Sequence, residues 1–343
     1  MTPQDEQAFL TAIVAAPDDD TPRLVFADWL DERAQGDDTA RAALIRAQCQ
    51  LEHLPPSSKA GRALAKQAKA VLKQHGKRWA KDLTAAPLFV DAWAFRRGFL
   101  DAVTMSATTF ARNAARLFEV APTVRTAHFP DASNEVGRLA ACPFFARLAS
   151  VDLNEMCSCG YCPIQNDLRA LFNSKHTQSL TKLNVAGDRM DADGAKRLAA
   201  SKALAGLTAL DLSGNPLGAD GVRELGKSKH LKALVSLDLS RTGPEAADGL
   251  AALAPDRFPA LRHLALGGNW IGAARLQTLV AAPLFAQLAS LDLSHNPIAA
   301  TGARLLAALP AGAKLERLDV RTCKLSEPAI RALKTRFGKG VTV

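Results

Sequence analysis

A leucine-framed stretch recurs along this chain at a nearly constant interval. Its seven anchors are Leu148, Leu180, Leu207, Leu234, Leu261, Leu288 and Leu315. The first interval is 32 residues and the following five are all 27. A constant period of this length is typical of a solenoid, in which each unit cannot bury its apolar side alone and stacks on its neighbours. The period therefore predicts a stacked repeat array over residues 141–343.

The amino-acid pattern within each repeat indicates its local structure. LTALDLSGNPLG at 207–218 and LASLDLSHNPIA at 288–299 share the pattern LxxLxLxxN. This pattern resembles a leucine-rich repeat, and the spacing NxxGxxGxxxL resembles its ribonuclease-inhibitor type. The resemblance implies an α/β solenoid with parallel strands on the concave side and helices on the convex side. It also implies a protein that works by presenting a surface.

The first hundred residues lack this period and read as helical. We predict helices over QDEQAFLTAIVAA, 21–36, 39–52 and 57–81, with Thr21 as the N-cap and Pro22 at the first position of the second helix. LVFADWLDE and RAALIRAQCQLE resemble the repeat-companion domain, a small helical module of planctomycete and myxobacterial proteins. FRRGFLDAVTM at 95–105 resembles the bridge between that module and its repeats. The expected organisation is a helical companion domain over 1–95, a bridge and degenerate capping repeat over 96–140, and a capped solenoid over 141–343.

Charge and cysteine usage limit the class of protein. The N-terminus has no basic stretch followed by an apolar block, and no apolar run reaches the roughly 18–20 residues that span a bilayer. Six cysteines over 343 residues do not indicate a disulfide framework, so a reducing cytoplasm is the expected compartment. Residues 1–52 hold 4 basic and 11 acidic side chains, whereas residues 53–100 hold 10 basic and 2 acidic ones. These two segments either neutralise each other or form a surface for nucleic acid or membrane.

Strand alternation predicts which side chains face the concave side, because neighbouring residues of a strand point to opposite faces. One column should be Asp152, Asn184, Asp211, Asp238, Ala265, Asp292 and Asp319. Adjacent carboxylates repel, which makes the column a candidate site for a basic partner; alternatively the acids belong to the scaffold. Further concave candidates are His263, Arg317 and Arg321. Arg241 and Trp270, in strand-exit turns, are candidate anchors, although Trp270 is also expected to fill a turn beside Ile271.

Three cysteines crowd the long first repeat. Cys157, Cys159 and Cys162 have CxCxxC spacing and would hold zinc if a fourth ligand were close, for which Asp188 in the next repeat is the candidate. A redox-labile pair or an inert loop are the alternatives. The inert loop is the expectation, so we predict no metal and no cofactor.

The fourth predicted helix carries a basic stripe, defined as Lys59, Arg62, Lys66, Lys69, Lys73 and Lys77. The spacings of 3, 4, 3, 4 and 4 residues place these cations on one helix face. The stripe suits phosphate backbones or an acidic partner. It could also be a solvated face neutralised by Asp18–Asp20 or Asp37–Asp38.

Catalytic motifs are sparse. GVRELGKS at 221–228 has the spelling of a P-loop but lies inside a predicted repeat helix rather than after a strand. His263 beside Asp238 and Asp292 is the one arrangement resembling acid–base chemistry, without a nucleophile. We therefore expect a non-catalytic module that binds a protein partner, with polyanion binding through the basic stripe as the alternative.

Overall fold

The computed structural model describes residues 3–55, 57–154, 165–310 and 313–343, together with all of their side chains except those of 3, 4 and 165–167. Two compact units, Met1–His128 and Phe129–Val343, make up the chain. Each unit has its own helices and strands. They are described separately.

The first unit contains six helices and a three-stranded sheet among its described residues. Its elements are α1 (Pro3–Ala15), α2 (Thr21–Arg33), α3 (Asp38–Glu52), α4 (Lys59–Trp79), α5 (Lys81–Thr84), β1 (Ala92–Arg96), β2 (Phe99–Thr104), α6 (Ala107–Val120) and β3 (Thr126–His128). The expected helical N-terminal region is confirmed up to Thr84. One detail differs: the N-cap position of α2 is Asp20 rather than Thr21, without a side-chain hydrogen bond. Helix α4 is capped by Ser58, whose hydroxyl accepts from the Gly61 N–H at 2.9 Å.

Residues 92–104 form a β-hairpin, which corrects the helical reading of the first hundred residues. Strands β1 and β2 pair antiparallel around a turn in which Arg97 (φ 52°) and Gly98 (φ 85°) both have positive φ. This backbone matches the twist of the flanking strands. A Cβ on Gly98 would lie 2.2 Å from Ile45 Cγ1 of α3, so the turn packs directly against the helices. Arg97, buried in the same turn, pairs with Asp20 at 3.2 Å.

The second unit is the repeat array. Its strands are β4 (Ser150–Asp152), β5 (Lys182–Asn184), β6 (Ala209–Asp211), β7 (Ser236–Asp238), β8 (His263–Ala265), β9 (Ser290–Asp292), β10 (Arg317–Asp319) and β11 (Val341–Thr342). The helices between them are α7 (Val136–Ala141), α8 (Gln165–Asn173), α9 (Ala192–Ala200), α10 (Gly218–Gly226), α11 (Ala273–Ala281), α12 (Ala299–Ala307) and α13 (Glu327–Phe337). A 3-10 helix, Ala246–Ala252, takes the place of the α-helix between β7 and β8.

A leucine ladder runs through the centre of this sheet. Leu183, Leu210, Leu237, Leu264, Leu291 and Leu318 are in register across parallel strands, and each is at most 3% exposed. The predicted fold class, an α/β leucine-rich-repeat solenoid behind a helical region, is confirmed. Strand β11 pairs with β10 and closes the C-terminal end of the sheet as the expected cap.

Candidate functional site

The concave face is formed by the first and third residues of each strand, because the middle residue is buried in the ladder. Strand pairing places the third residues in the predicted column, from Asp152 beside Asn184 to Asp292 beside Asp319. These residues are half-buried. Their carboxylates therefore sit at the open surface of the sheet, one strand spacing apart.

Each member of the column with a side-chain oxygen holds a strand-exit turn. In every case Oδ1 accepts the backbone N–H two residues later, as in Asp238 to Ser240 at 2.8 Å and Asp292 to Ser294 at 2.7 Å. Asn184 makes the same bond to Ala186 at 2.9 Å without a charge. The turn therefore needs the oxygen and not the ionised group.

The repeat that starts at Leu261 interrupts the column and the position two residues after it. Ala265 replaces the aspartate, and Gly267 stands where the other repeats have Asn154, Ala186, Ser213, Ser240, Ser294 or Arg321. The Gly267 N–H, which has no aspartate to donate to, donates instead to Ser240 Oγ of the previous repeat at 3.1 Å. A Cβ at Gly267 would lie 3.0 Å from Ser294 Oγ. Ala265 and Gly267 therefore place no large side chain between Asp238 and Asp292 or between Ser240 and Ser294.

A pocket of about 300 Å³ passes Gly267 along the strand-exit turns, and we call it the concave pocket. It is lined by Asn154, Ala186, Gly187, Ser213, Gly214, Asp238, Ser240, Arg241, Gly267, Asp292, Ser294 and His295. Asp238 and Asp292 are both in its wall, on the two strands that pair with the strand of Ala265. Neither carboxylate has an ion-pair partner within the part of the chain that the structure describes.

The electrostatics of the concave pocket favour a cationic guest. Burial raises the pKa of the Asp238 carboxyl, and the charges of Asp211 and Asp292 raise it further, whereas the hydrogen bonds from Ser240 lower it. A carboxyl that is both desolvated and surrounded by like charges is stabilised in its ionised form by a cation placed beside it. A lysine or arginine side chain has this charge.

The strand-exit turns position two basic side chains near the pocket. Arg241 (φ 52°) and His295 (φ 57°) both occupy the left-handed position before the buried polar residue of the turn, where other repeats have Gly187, Gly214 and Gly268. The Arg241 side chain is exposed and lies over Gly268, whose Cβ would be 3.0 Å from Arg241 Cγ. His295 lines the concave pocket, although the sequence reading did not single it out.

Three other predicted concave or turn residues have different surroundings from those expected. His263 pairs in register with Ser236 and Ser290, so Ala265, and not His263, lies between Asp238 and Asp292. Trp270 is 70% exposed, which contradicts the expectation that it fills a turn. Arg321 is bonded to Asp319 through Nη2 at 2.6 Å, while Arg317 is exposed at the other end of the same strand.

A buried polar ladder holds the turns together. Asn215, Asn269 and Asn296 each donate from Nδ2 to two main-chain carbonyls, for example Asn296 to Leu266 and Leu293, both at 2.9 Å. Cys323 occupies the equivalent position, donates to the Leu293 carbonyl at 3.0 Å, and has its pKa raised to about 11 by burial. This cysteine has a structural role.

The cysteine loop lies outside the described residues. For Cys157, Cys159 and Cys162 an inert loop therefore stays our prediction, with a metal site as the alternative. Asp188, the suggested fourth ligand, is fully buried at the ladder position of its repeat. Within the described ranges, no group of three or more His, Cys, Asp or Glu side chains is arranged to hold a metal ion.

The basic stripe is exposed along α4. Lys59, Arg62, Lys66, Lys69, Lys73 and Lys77 all face solvent, while Leu64, Ala68, Val71, Leu72 and Trp79 on the opposite face pack against α3. The acids suggested as neutralising partners pair elsewhere: Asp20 with Arg97, Asp37 with Arg78 and Asp38 with Arg33 at 2.6 Å. These acidic side chains of residues 1–52 are thus neutralised by arginines. No ion pair to the basic stripe occurs among the residues described.

The P-loop-like motif at 221–228 spans the later part of helix α10 and the residues just after it. Gly221, Val222 and Gly226 lie in α10, and a Cβ on Gly226 would meet the Ala252 carbonyl oxygen at 2.5 Å. Ser228 Oγ donates to the Ala199 carbonyl at 2.7 Å. These residues serve helix packing, as expected from their sequence context.

Comparison with known proteins identifies the repeats. The family described as Leucine Rich repeat matches residues 207–226 and 288–307, so the leucine-rich-repeat assignment is confirmed. No curated protein matches the chain. Among the solved structures that are similar are a protein from Bacteroides fragilis, with 14% identity and a TM-score of 0.48 over 83% of this chain and 84% of that one, and the yeast Rad7 and Elc1 complex, with 12% identity and a TM-score of 0.38 over 92% and 93%.

The N-terminal helices bear on the second resemblance found in the sequence. The helices of residues 3–84 are consistent with the resemblance to the repeat-companion domain. None of the helices in the described ranges combines the length and the apolar character that crossing a membrane requires.

Proposed function

We propose that this protein is a non-catalytic interaction module that binds a protein partner through its concave face, with a lysine or arginine of the partner seated in the concave pocket. The observation that carries the proposal is the pair Asp238 and Asp292, two carboxylates without an ion-pair partner among the described residues, on either side of the gap at Ala265. The proposed setting is the cytoplasm, in keeping with the free cysteines Cys49, Cys142 and Cys323.

The size of the surface supports a protein partner rather than a small molecule. The seven strands β4 to β10 at about 4.8 Å spacing extend roughly 30 Å, which is comparable with a standard protein–protein footprint. Small Ser and Asp side chains cover most of it, so binding energy should concentrate on few anchors. Trp270 and Arg241 are large exposed side chains in strand-exit turns, and we propose them as the anchors.

Site-specific crosslinking tests the location. A photo-crosslinking residue at Ser240 on the concave face, with one at Arg304 on α12 as the control, identifies which face contacts a partner in cells. The partner is then purified and its affinity measured. Recovery that is lost entirely on nuclease treatment would instead favour a polyanion partner.

Charge removal tests the mechanism. Asp238→Asn with Asp292→Asn keeps the oxygen that holds each turn, as Asn184 shows, and removes both charges. Removing one side of a buried charge pair costs about 2–5 kcal/mol, so we expect the affinity to fall at least tenfold. The matched control is Asp193→Asn with Asp220→Asn on α9 and α10, whose carboxylates are 58% and 81% exposed. Equal affinity of the two double variants would contradict the proposal.

A second candidate function is polyanion binding. The observation that favours it is the basic stripe, six exposed cations on one face of α4 with no ion pair among the described residues. It would be a separate site in the first unit.

A further inference from the structure

The first unit contains a half-buried arginine with unusual surroundings. Arg41 of α3 has its guanidinium Cζ 4.8 Å from the ring centre of Trp79, 5.1 Å from that of Phe95 and 5.2 Å from that of Phe99. In the described part of the chain, neither a hydrogen bond nor an ion pair reaches this guanidinium. Burial lowers the pKa of Arg41 to about 10, partly offset by the charge of Glu6. Arg41 is therefore still a cation at neutral pH.

A partly desolvated cation without a protein acceptor is costly, and aromatic faces compensate only part of that cost. A cation over an aromatic ring gains about 0.5–2 kcal/mol, whereas a guanidinium has five N–H donors to satisfy. The acids nearby do not supply acceptors. Glu6 and Asp38 are bonded to Arg33, at 3.0 and 2.6 Å, and Asp37 is bonded to Arg78.

A cavity of about 300 Å³ lies against Arg41. Its walls come from α1, α2, α3, the end of α4, β2 and the end of α6, and their apolar part includes Leu10, Phe26, Leu30, Trp79, Phe99 and Val120. The volume is at the lower end of the range for small-molecule sites, which are typically apolar with a few placed polar groups. The combination is a cavity with an apolar wall and one cation, Arg41, whose donors have no acceptor among the described residues, whereas Arg33, the other cation of the lining, is paired.

From this geometry we propose that the cavity is a binding site for a small organic monocarboxylate with an apolar or aromatic body, whose carboxylate accepts hydrogen bonds from Arg41. One carboxylate matches the planar fork of a guanidinium with two parallel hydrogen bonds. A dianion such as phosphate fits less well, because Glu6, Asp37 and Asp38 also line the cavity and repel additional negative charge. The apolar body of the ligand is held by the surrounding leucine and phenylalanine side chains.

Calorimetric titration of the full chain with phenylacetate and with indole-3-acetate tests the proposal. We expect saturable binding with Kd below about 1 mM. Phenylacetamide has the same shape without the charge, and inorganic phosphate has charge without the apolar body. Each should bind at least tenfold more weakly than phenylacetate.

Two variants test the site. Arg41→Gln should weaken phenylacetate binding at least tenfold, whereas Arg62→Gln, which removes an exposed arginine of α4, should leave it unchanged. Val120→Trp fills the cavity at a half-buried position while leaving Arg41 in place, so it should block binding in a chain whose thermal unfolding is otherwise normal. The proposal is overturned if neither acid binds, if the amide binds as well as the acid, or if Val120→Trp binds as the native protein does.

Discussion

The residue at the end of each concave strand combines a structural and an electrostatic role. Its Oδ1 fixes the strand-exit turn, as in Asp211, which accepts from the Ser213 N–H at 2.9 Å, and asparagine does this equally well at position 184. At position 265 the residue is alanine, and Ser240 Oγ takes the place of the carboxylate as the acceptor for the Gly267 N–H. The repeats thus have Asp, Asn or Ala at this one position. Comparing them shows that the turn requires an acceptor oxygen but not a charge.

Leu237 is the residue where the repeat register is most directly tested. It is 2% exposed and lies between Leu210 and Leu264 in the ladder. Leu237→Ala removes buried methyl groups and leaves a cavity, so we expect the free energy of unfolding to fall by about 2–5 kcal/mol. Urea denaturation followed by circular dichroism measures the change. Ser236→Ala, on the concave face of the same strand, is the control and should change it by less than about 0.5 kcal/mol.

Asp238 makes a prediction about pH. Its pKa in the folded protein lies above the reference value of 3.8, so the folded state holds the proton more tightly than the unfolded state does. The native protein should therefore lose stability as pH rises from 3.8 through the folded pKa. Asp238→Asn has no such proton and should gain stability relative to the native protein over that window. Urea denaturation at a series of pH values checks this, with Asp220→Asn as the control. If Asp238→Asn instead lost stability relative to the native protein over this pH window, the prediction would be contradicted.

At the scale of elements, the hairpin of β1 and β2 is the part that sequence reading missed. Its signal was present in the alternation of Trp93 and Phe95 and in the Arg97–Gly98 pair, which suits a two-residue turn with positive φ. What the sequence did not show is the docking. Gln48 of α3 accepts from the Gly98 N–H at 2.7 Å and donates to the Phe95 carbonyl at 3.1 Å.

Helix α4 makes an ionic-strength prediction. If its stripe contacts phosphates, the logarithm of affinity for any DNA duplex should fall with the logarithm of salt concentration, by about 0.9 per phosphate neutralised. We expect only weak binding, because a single row of cations without interleaved aromatics contacts few phosphates. Lys66→Glu with Lys69→Glu and Lys73→Glu should abolish it for all sequences.

The matched control reverses three exposed lysines of the second unit, Lys196, Lys202 and Lys229. Filter binding at several salt concentrations measures both variants. Tight binding at physiological salt that only the α4 reversal removes would make polyanion binding the leading function. Equal loss in both variants would indicate nonspecific attraction to a protein of net charge +9.

At the scale of the whole molecule, the chain divides into units that differ in how they are stabilised. In the second unit each repeat contacts mainly its sequence neighbours, and the ladders of leucine and asparagine repeat the same contacts along the sheet. In the first unit the core combines distant segments, such as Phe26 and Phe99 with ring centres 5.7 Å apart. A sequence period describes the repeated contacts of the second unit. It cannot describe the core of the first unit, whose contacts join distant segments.

Metal content is the prediction that concerns the intact chain. We expect no stoichiometric metal, because the only proposed ligand set is the cysteine loop at 157–162, for which the inert reading is the simpler one. Elemental analysis of protein purified without chelator measures this. About one zinc per chain, lost on Cys159→Ser and retained on Cys49→Ser, would contradict the prediction and make Cys157, Cys159 and Cys162 a structural site.

The sequence by itself determined the repeat register, the strand faces and the cap, because a 27-residue period repeats one local solution and each strand's side chains alternate. It therefore predicted the column from Asp152 to Asp319 residue by residue. The concave pocket required tertiary structure, since its wall combines strand-exit turns of six repeats, from Asn154 to His295. The same holds for the cavity at Arg41, whose aromatic neighbours are brought together from α4, β1 and β2. Contacts between residues far apart in sequence have no period, so only the folded chain decides them.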